Sequence, residues 1–547
     1  MRRTVLFGGV ILVAAFYFVM CLPGLGHELS AVKESVRSQV ESLRADITYL
    51  DTEHGPEDTK WRNYKQRVAE AIAKAERSLA GGSDAGSVDK LELAHERLHM
   101  LKKLMPLRLP AGPAGTGRFG AYYATLKFDP EWDKLWKVSD HADVVVRFDE
   151  FDHRFVFWRG TSYIPCWATY DGAWYTNEFF ERRGHLGGCS SMCEPMSDKQ
   201  CRYSHARIIE SNPARVVVHW RYSPVDLEYV QPYRDEMTGW GDWVDEYYTI
   251  YPDSVGVRKA TIRSGSPKDD WIEYQEGIVV NQPGTIPEEN INYDAVSFGN
   301  LKGQSKTYVW TKDGGPPLRG APDEPCIQVI NFKNEYKPFT VVNPDGVRIK
   351  VYGGHGRNSY FNWWNHWPVA QKKSDTTEAR SAERPSHSSL THIEWKLHSE
   401  DGISRTWIML NGMTNKDAAE LVPLARSWLY PPELKLKKGL FGAVRFISRG
   451  YDQTQRAWVL ACKKSGEPSK LEFELSAGVV SPVVNPAFVI KDWGPAGASL
   501  KVDGEQVEPG KDFRLGHRRT AESSDLIVWF KVEVTEPIRV SLSPLGE

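Results

Sequence analysis

The sequence predicts a mostly β protein: a large antiparallel β-sandwich behind an N-terminal helical bundle and ahead of a C-terminal β-sandwich. Two observations predict it. The apolar period switches from about 3.5 to 2 after the Pro/Gly stretch PLRLPAGPAGTG at 106–117. Beyond that point, β-branched and aromatic runs alternate with turn residues for most of the chain. A β-propeller is the alternative, although no clean repeat of propeller-blade length is visible.

Taken in order, residues 5–22 are uncharged and follow Arg2 and Arg3. They read as a signal peptide (1–26) or a membrane anchor, so the protein is expected to be secreted, periplasmic or held at the cell surface. Leu29, Val32, Val36, Val40, Leu43, Ile47 and Leu50 space a first amphipathic helix. Pro56 opens a second, with Trp61, Tyr64, Val68, Ile72 and Leu79 on one face, and Gly81-Gly82-Ser83 breaks it. A third is expected over Val88–Met105. Residues 27–105 thus form a bundle or stalk that could also serve oligomerisation, and 106–118 form a linker. In the main β domain, 119–430, DVVVRF, RFVFW, ARVVVHWRY, DEYYTIY, SVGVRKATI, FTVVN and GVRIKVY read as strands, with Asn-Pro and Pro-Asp turns between hairpin arms. A helix is expected near Asn415–Ser427. The C-terminal sandwich covers 431–547, through AWVLACKK, KLEFEL, ASLKVDG and DLIVWFKVEVT.

The net charge of -2, from 69 basic and 71 acidic residues, argues against nucleic acid as a partner, as does the lack of a basic stripe interleaved with aromatics. The 20 Trp, 23 Tyr and 21 Phe fit either aromatic cores or rings that stack on sugars.

Chemistry concentrates in 355–389. Asn358, Tyr360, Asn362, Trp363, Trp364, Asn365, His366 and Trp367 crowd ten positions, with Arg384 and His387 downstream. Simple alternation would bury amides or imidazoles beside indoles, so a cleft-lining loop or bulged strand is expected. Two His, an Arg and a Tyr can supply a base, an acid and a carboxylate neutraliser. Arg159 and Tyr163 in WRGTSYIP, and the hairpin carrying Tyr247, Tyr248, Tyr251, Arg258 and Arg263, are further candidates. Each has a plain structural reading as turn or sheet. His185, Cys189, Cys193, Cys201 and His205 could give zinc four of five ligands; a disulfide among the three cysteines or free thiols are the other readings. A structural Zn or Ca is the only metal expected, and no cofactor is required.

The run NWWNHWPVAQ followed by RPSHSS resembles the His-containing segments of secreted polysaccharide lyases of the ulvan lyase type. The resemblance implies that Asn362, His366 and His387 line a cleft that takes an acidic polysaccharide. It implies β-elimination at a uronate, with His366 as base, alone or with a Tyr, and with His387 and Asn362 on the carboxylate. Trp363 and Trp364 would stack on sugars. A Tyr and Arg from neighbouring strands, here Tyr247 or Tyr248 with Arg258 or Arg263 (Tyr248 and Arg258 taken first), would act with them, although they precede the His pair here, unlike the family's order. Several ulvan lyases are seven-bladed propellers; the long hairpins here look more like the mutarotase-like supersandwich of other lyases. A glycoside hydrolase and a non-catalytic carbohydrate-binding or structural surface protein remain the alternatives.

Overall fold

The computed structural model describes residues 26–54, 59–81, 84–104, 108–128, 141–182, 186–265, 275–311, 315–354, 359–364, 367, 385–437 and 445–545. The expected export segment at 5–22, with Cys21, lies outside them. Among the described residues, no helix is long and apolar enough to cross a membrane. The chain divides into two compact units, Met1–Pro106 and Leu107–Glu547.

The first unit contains α1 (Gly26–His54), α2 (Thr59–Ala80) and α3 (Asp84–Leu104). The helical spacing read from the sequence gives their buried seams: Val36, Val40, Leu43 and Ile47 on α1, Val68 and Ile72 on α2, Leu91, Ala94 and Leu98 on α3. The Arg44 guanidinium reaches Glu76 across the bundle at 2.8 Å.

The second unit is built on two large sheets. Strand makes up 41% of the structure and helix 14%, so it is mostly β; its sheets are antiparallel in the main and none closes into a barrel. In chain order the strands are β1 (Gly120–Ala124), β2 (Asp143–Arg147), β3 (Arg154–Phe157), β4 (Pro165–Ala168), β5 (Trp174–Thr176), β6 (His205–Ser211), β7 (Val216–Tyr222), β8 (Trp243–Ile250), β9 (Val255–Arg263) and β10 (Glu276–Asn281). There follow β11 (Ile291–Gly299), β12 (Ser305–Tyr308), β13 (Ile327–Phe332), β14 (Lys337–Val341), β15 (Arg348–Val351), β16 (Asn362–Trp364), β17 (Ser386–Glu394), β18 (Ser399–Glu400) and β19 (Ser404–Thr414). Sheet 1 runs β1-β2-β3-β4-β5-β10-β17-β15, with β16 also on β17. Sheet 2 runs β12-β11-β13-β14-β19-β9-β8-β7-β6, with β18 on β19.

The sheets pack face to face, and the side chains between them identify each inner face. Trp167 of β4 donates to Asn411 of β19 (3.2 Å), Gln328 of β13 donates to the Tyr175 hydroxyl of β5 (3.2 Å), and Thr340 of β14 donates to Asn177 beyond β5 (2.8 Å). The Asn-Pro and Pro-Asp turns join β6 to β7 and β8 to β9 as the sequence predicts. The helix expected near 415–427 begins later, at Val422, with Pro423 in its first turn.

The C-terminal residues form two five-stranded sheets closed over Trp458, Leu460, Phe473, Phe488, Trp493 and Leu526. This sandwich packs on the tip of the β8–β9 hairpin. Arg456 holds Asp253 by two hydrogen bonds (2.8 and 3.1 Å), and Tyr251, Ala457, Val459, Ile527 and Trp529 share one buried cluster.

Candidate functional site

Strand register assembles the site on the outer face of sheet 1. Asn362, Ser389, Ile278 and Thr176 form one rung across β16, β17, β10 and β5. Trp364, His387, Val280 and Trp174 form the next rung but one. Cross-strand partners project to the same side, and so do alternate residues of one strand, so all eight share a face. The rung between them, Trp363-Ser388-Val279-Tyr175, points inward, as the Tyr175 contact with Gln328 requires.

A β-bulge in β17 opposite Gly277–Ile278 shifts the phase by one residue. It lets Thr391 face inward, hydrogen-bonded to Gln328, while Glu276 stays outward and bonds Ser389 and Tyr352. The Glu276 amide donates to Glu178 Oε2 (3.2 Å), and the Glu178 amide donates to Thr176 Oγ1 (3.2 Å). His387 is 8% exposed, with its ring edge-on to Trp367 at 5.5 Å. Asn362 and Trp364 are half-buried. The face thus combines two imidazoles, His387 and His392 opposite Glu276, with an amide, two indoles and two carboxyls.

Burial sets the protonation of these carboxyls. It pushes Glu178 well above the usual carboxylate range, and the charges of Glu276, Glu181 and Glu194 push it further. Glu276 is also raised by burial, against the hydrogen bonds from Ser389 and Tyr352. Glu194 is pushed up to about 7 by burial, against its hydrogen bond with Glu181. A carboxyl kept neutral donates a hydrogen bond where an ionised one would repel an anion.

A stability prediction follows from Glu194. The folded protein retains a proton that the unfolded chain releases near the ordinary value of 4.5. Stability should therefore fall as pH rises from about 4.5 to about 7, and level off above. Glu194→Gln should flatten that part of the profile, measured as urea unfolding free energy at successive pH values. An unchanged profile would refute the assignment.

Several sequence expectations are corrected. Tyr248 and Arg258 lie on the inner face of sheet 2, where Arg258 Nε and Nη2 donate to the two Glu246 oxygens, both at 2.7 Å. The Tyr248 hydroxyl donates to the same carboxylate (2.6 Å) and the Tyr222 hydroxyl joins it (3.1 Å). Arg258 is 2% exposed, so its charge serves Glu246 and not a ligand. Trp363 is the inward indole, buried against Ile286, which leaves stacking to Trp364. Tyr360 packs its ring on Tyr293 (4.9 Å) while its amide donates to Glu288, beside the rungs and not on them. Tyr163 is fully buried at the β3–β4 turn, where burial raises its hydroxyl pKa, and Arg159 there reaches the Leu126 carbonyl. His366 and Arg384 lie outside the described residues.

Cys189 and Cys193 form a disulfide, which takes both sulfurs out of the four-ligand set for a metal. Cys201 Sγ sits 3.4 Å from the Arg159 carbonyl oxygen, and His205 lies on β6, 3.2 Å from Arg207. His185 lies outside the described residues. The sequence reading missed Glu178, Glu276 and Trp174. The acidic residues in WYTNEFFE, between large apolar ones, were the signal available.

No family model and no curated protein matches the chain. Among solved structures it is similar to a heparinase III, at 9% identity and a TM-score of 0.23, over 85% of this chain and 65% of that one. It is also similar to a heparan sulfate lyase from Pedobacter heparinus, at 8% identity and 0.25, over 80% and 64%. A third is a galactose 1-epimerase from Lactobacillus acidophilus NCFM, at 7% and 0.24, over 54% and 99%. The chain spans less than two thirds of the length of either lyase.

Proposed function

We propose that this protein is an exported lyase that cleaves a uronic-acid-containing polysaccharide by β-elimination on the outer face of sheet 1. The observation that carries the proposal is the shared face of His387, Asn362 and Trp364 beside two carboxyls whose pKa is raised by burial.

His387 removes the proton at C5 of the uronate. The electron pair left behind forms the C4–C5 double bond, the C4–O bond breaks, and the leaving oxygen takes a proton. The C5 proton is weakly acidic until the carboxylate beside it is neutralised or hydrogen-bonded. The Asn362 amide and a neutral Glu178 carboxyl are donors for that carboxylate, and Glu276 is the acid nearest Ser389 for the leaving oxygen. Trp364 supplies a ring face for the sugar. The base role passes from His366 to His387. His387 and His392 are the described imidazoles on this face, and His387 takes the role because it is the one paired with Trp364 and two residues from Ser389, the partner of Asn362. The Cys189–Cys193 disulfide supports export, since such bonds persist in oxidising compartments.

Ulvan and other polyuronates incubated with purified protein should develop the ultraviolet absorbance of an unsaturated uronate. Folded protein that yields no such product from any of them refutes the reading. The Glu178–Glu276 pair favours glycoside hydrolysis as a second reading, which would release reducing ends without new absorbance.

A further inference from the structure

The outer face of sheet 2, on the opposite side of the sandwich from His387, carries a second set of chemistry. Register places Arg207 (β6) with His219 (β7), Tyr247 (β8) and Lys259 (β9) in one rung. His205, Arg221, Asp245 and Thr261 form another, and Trp243 with Arg263 the next. Four side chains of permanent or near-permanent charge, Arg207 on β6, Arg221 on β7 and Lys259 and Arg263 on β9, thus span the face from β6 to β9, about 14 Å across three strand spacings.

The two carboxylates on this face are already matched. Asp245 is held by His219 (2.7 Å) and Arg221 (3.3 Å), and Glu210 by Arg215 (2.7 Å). Aromatic rings lie among the cations. Arg221 covers Trp243 at 4.7 Å, and Trp240, 60% exposed, meets Trp243 edge-on at 6.3 Å. Tyr247 stacks on His219 at 4.4 Å and leaves its other face outward.

Two cavities open here. One of about 510 Å³ is bounded by Tyr233, Trp240, Trp243, Arg221 and Arg263. The carboxylate in its lining, Asp235, accepts hydrogen bonds from the amides of Met237 and Thr238. The second, of about 420 Å³, is bounded by Tyr123, His141, His205 and Arg207. The His205–Arg221 cross-strand pair joins the two.

We propose that this face is a binding track for an anionic polysaccharide, separate from the cleavage site. Sugar rings stack on Trp240 and Trp243, and carboxylate or sulfate groups pair with Arg207, Arg221 and Arg263. Exposed aromatics beside guanidinium groups that outnumber the carboxylates they meet suit a ligand that alternates apolar ring faces with fixed negative charge.

The test is affinity electrophoresis of the full chain carrying His387→Ala, in gels containing polygalacturonate, heparin or neutral dextran. Because binding is read in a chain without the imidazole, a failure here and a failure of elimination chemistry are separate results. Retardation by polygalacturonate or heparin but not dextran is expected, and which of them retards tells carboxylate from sulfate. Adding Arg207→Ser, Arg263→Ser and Trp240→Ala, all at exposed positions, should weaken binding at least tenfold. Equal retardation by dextran, no retardation by either anionic polymer, or undiminished binding by the substituted chain overturns the proposal.

Discussion

His387→Ala should lower kcat on the preferred polyuronate by about 10³-fold, within the range for a lost general base. KM should change little, because sugar contacts come from Trp364 and Asn362. His387 lies at the strand-paired centre of sheet 1, opposite Val280 and Trp364, so the ring is positioned by backbone register. The variant keeps those backbone bonds, and thermal unfolding is the control for retained fold. Undiminished product formation by folded variant protein would remove His387 from the mechanism. A Trp240→Ala chain, changed in the loop before β8, should keep its turnover of short oligosaccharides.

Glu246→Ala should destabilise the protein by about 3–5 kcal/mol, the largest stability effect expected of a single substitution here. The reason is what it leaves behind. Arg258 would keep a desolvated guanidinium with only Gln275 and the Asn177 carbonyl as partners, and the Tyr248 hydroxyl would lose its acceptor. Burial already raises the pKa of Tyr248, so its hydroxyl stays neutral and needs an acceptor. Glu246→Leu with Arg258→Met should recover much of the loss, since removing both charges avoids the stranded one. Urea unfolding of the two single variants and the double measures this; a double variant as unstable as the sum of the singles would refute the coupling.

The same cluster explains what could be read from the sequence. The helical seams of the first unit and the long hairpins were legible because each has a regular apolar period and its own turn chemistry. Asn362, Trp364 and His387 were legible because polar groups stood among indoles where alternation alone would bury them. Tyr248 and Arg258 were misread because β8 and β9 carry polar side chains on both faces. Tyr247 and Arg263 point outward while Tyr248 and Arg258 point inward, and periodicity does not say which polar face is the dry one. Trp363 and Trp364 are neighbours whose faces are decided by pairing with Ser388 and His387, a register set across the chain. Glu178 and Glu276 meet only because β5 and β10 lie side by side, and the β17 bulge that turns Thr391 inward and sets His392 opposite Glu276 leaves no mark in composition.

The grip of Arg456 on Asp253 bears on how the gene can be cut. A chain stopped after Tyr430 would retain Asp253, Tyr251 and Ala214 but lose the guanidinium and the indole of Trp529 that cover them. The hairpin whose outward arms carry the cationic track would then end in a bare carboxylate and uncovered apolar surface. Shortened expression clones should therefore keep both sandwiches together, and the natural place for a scissor is the Pro106–Leu107 junction.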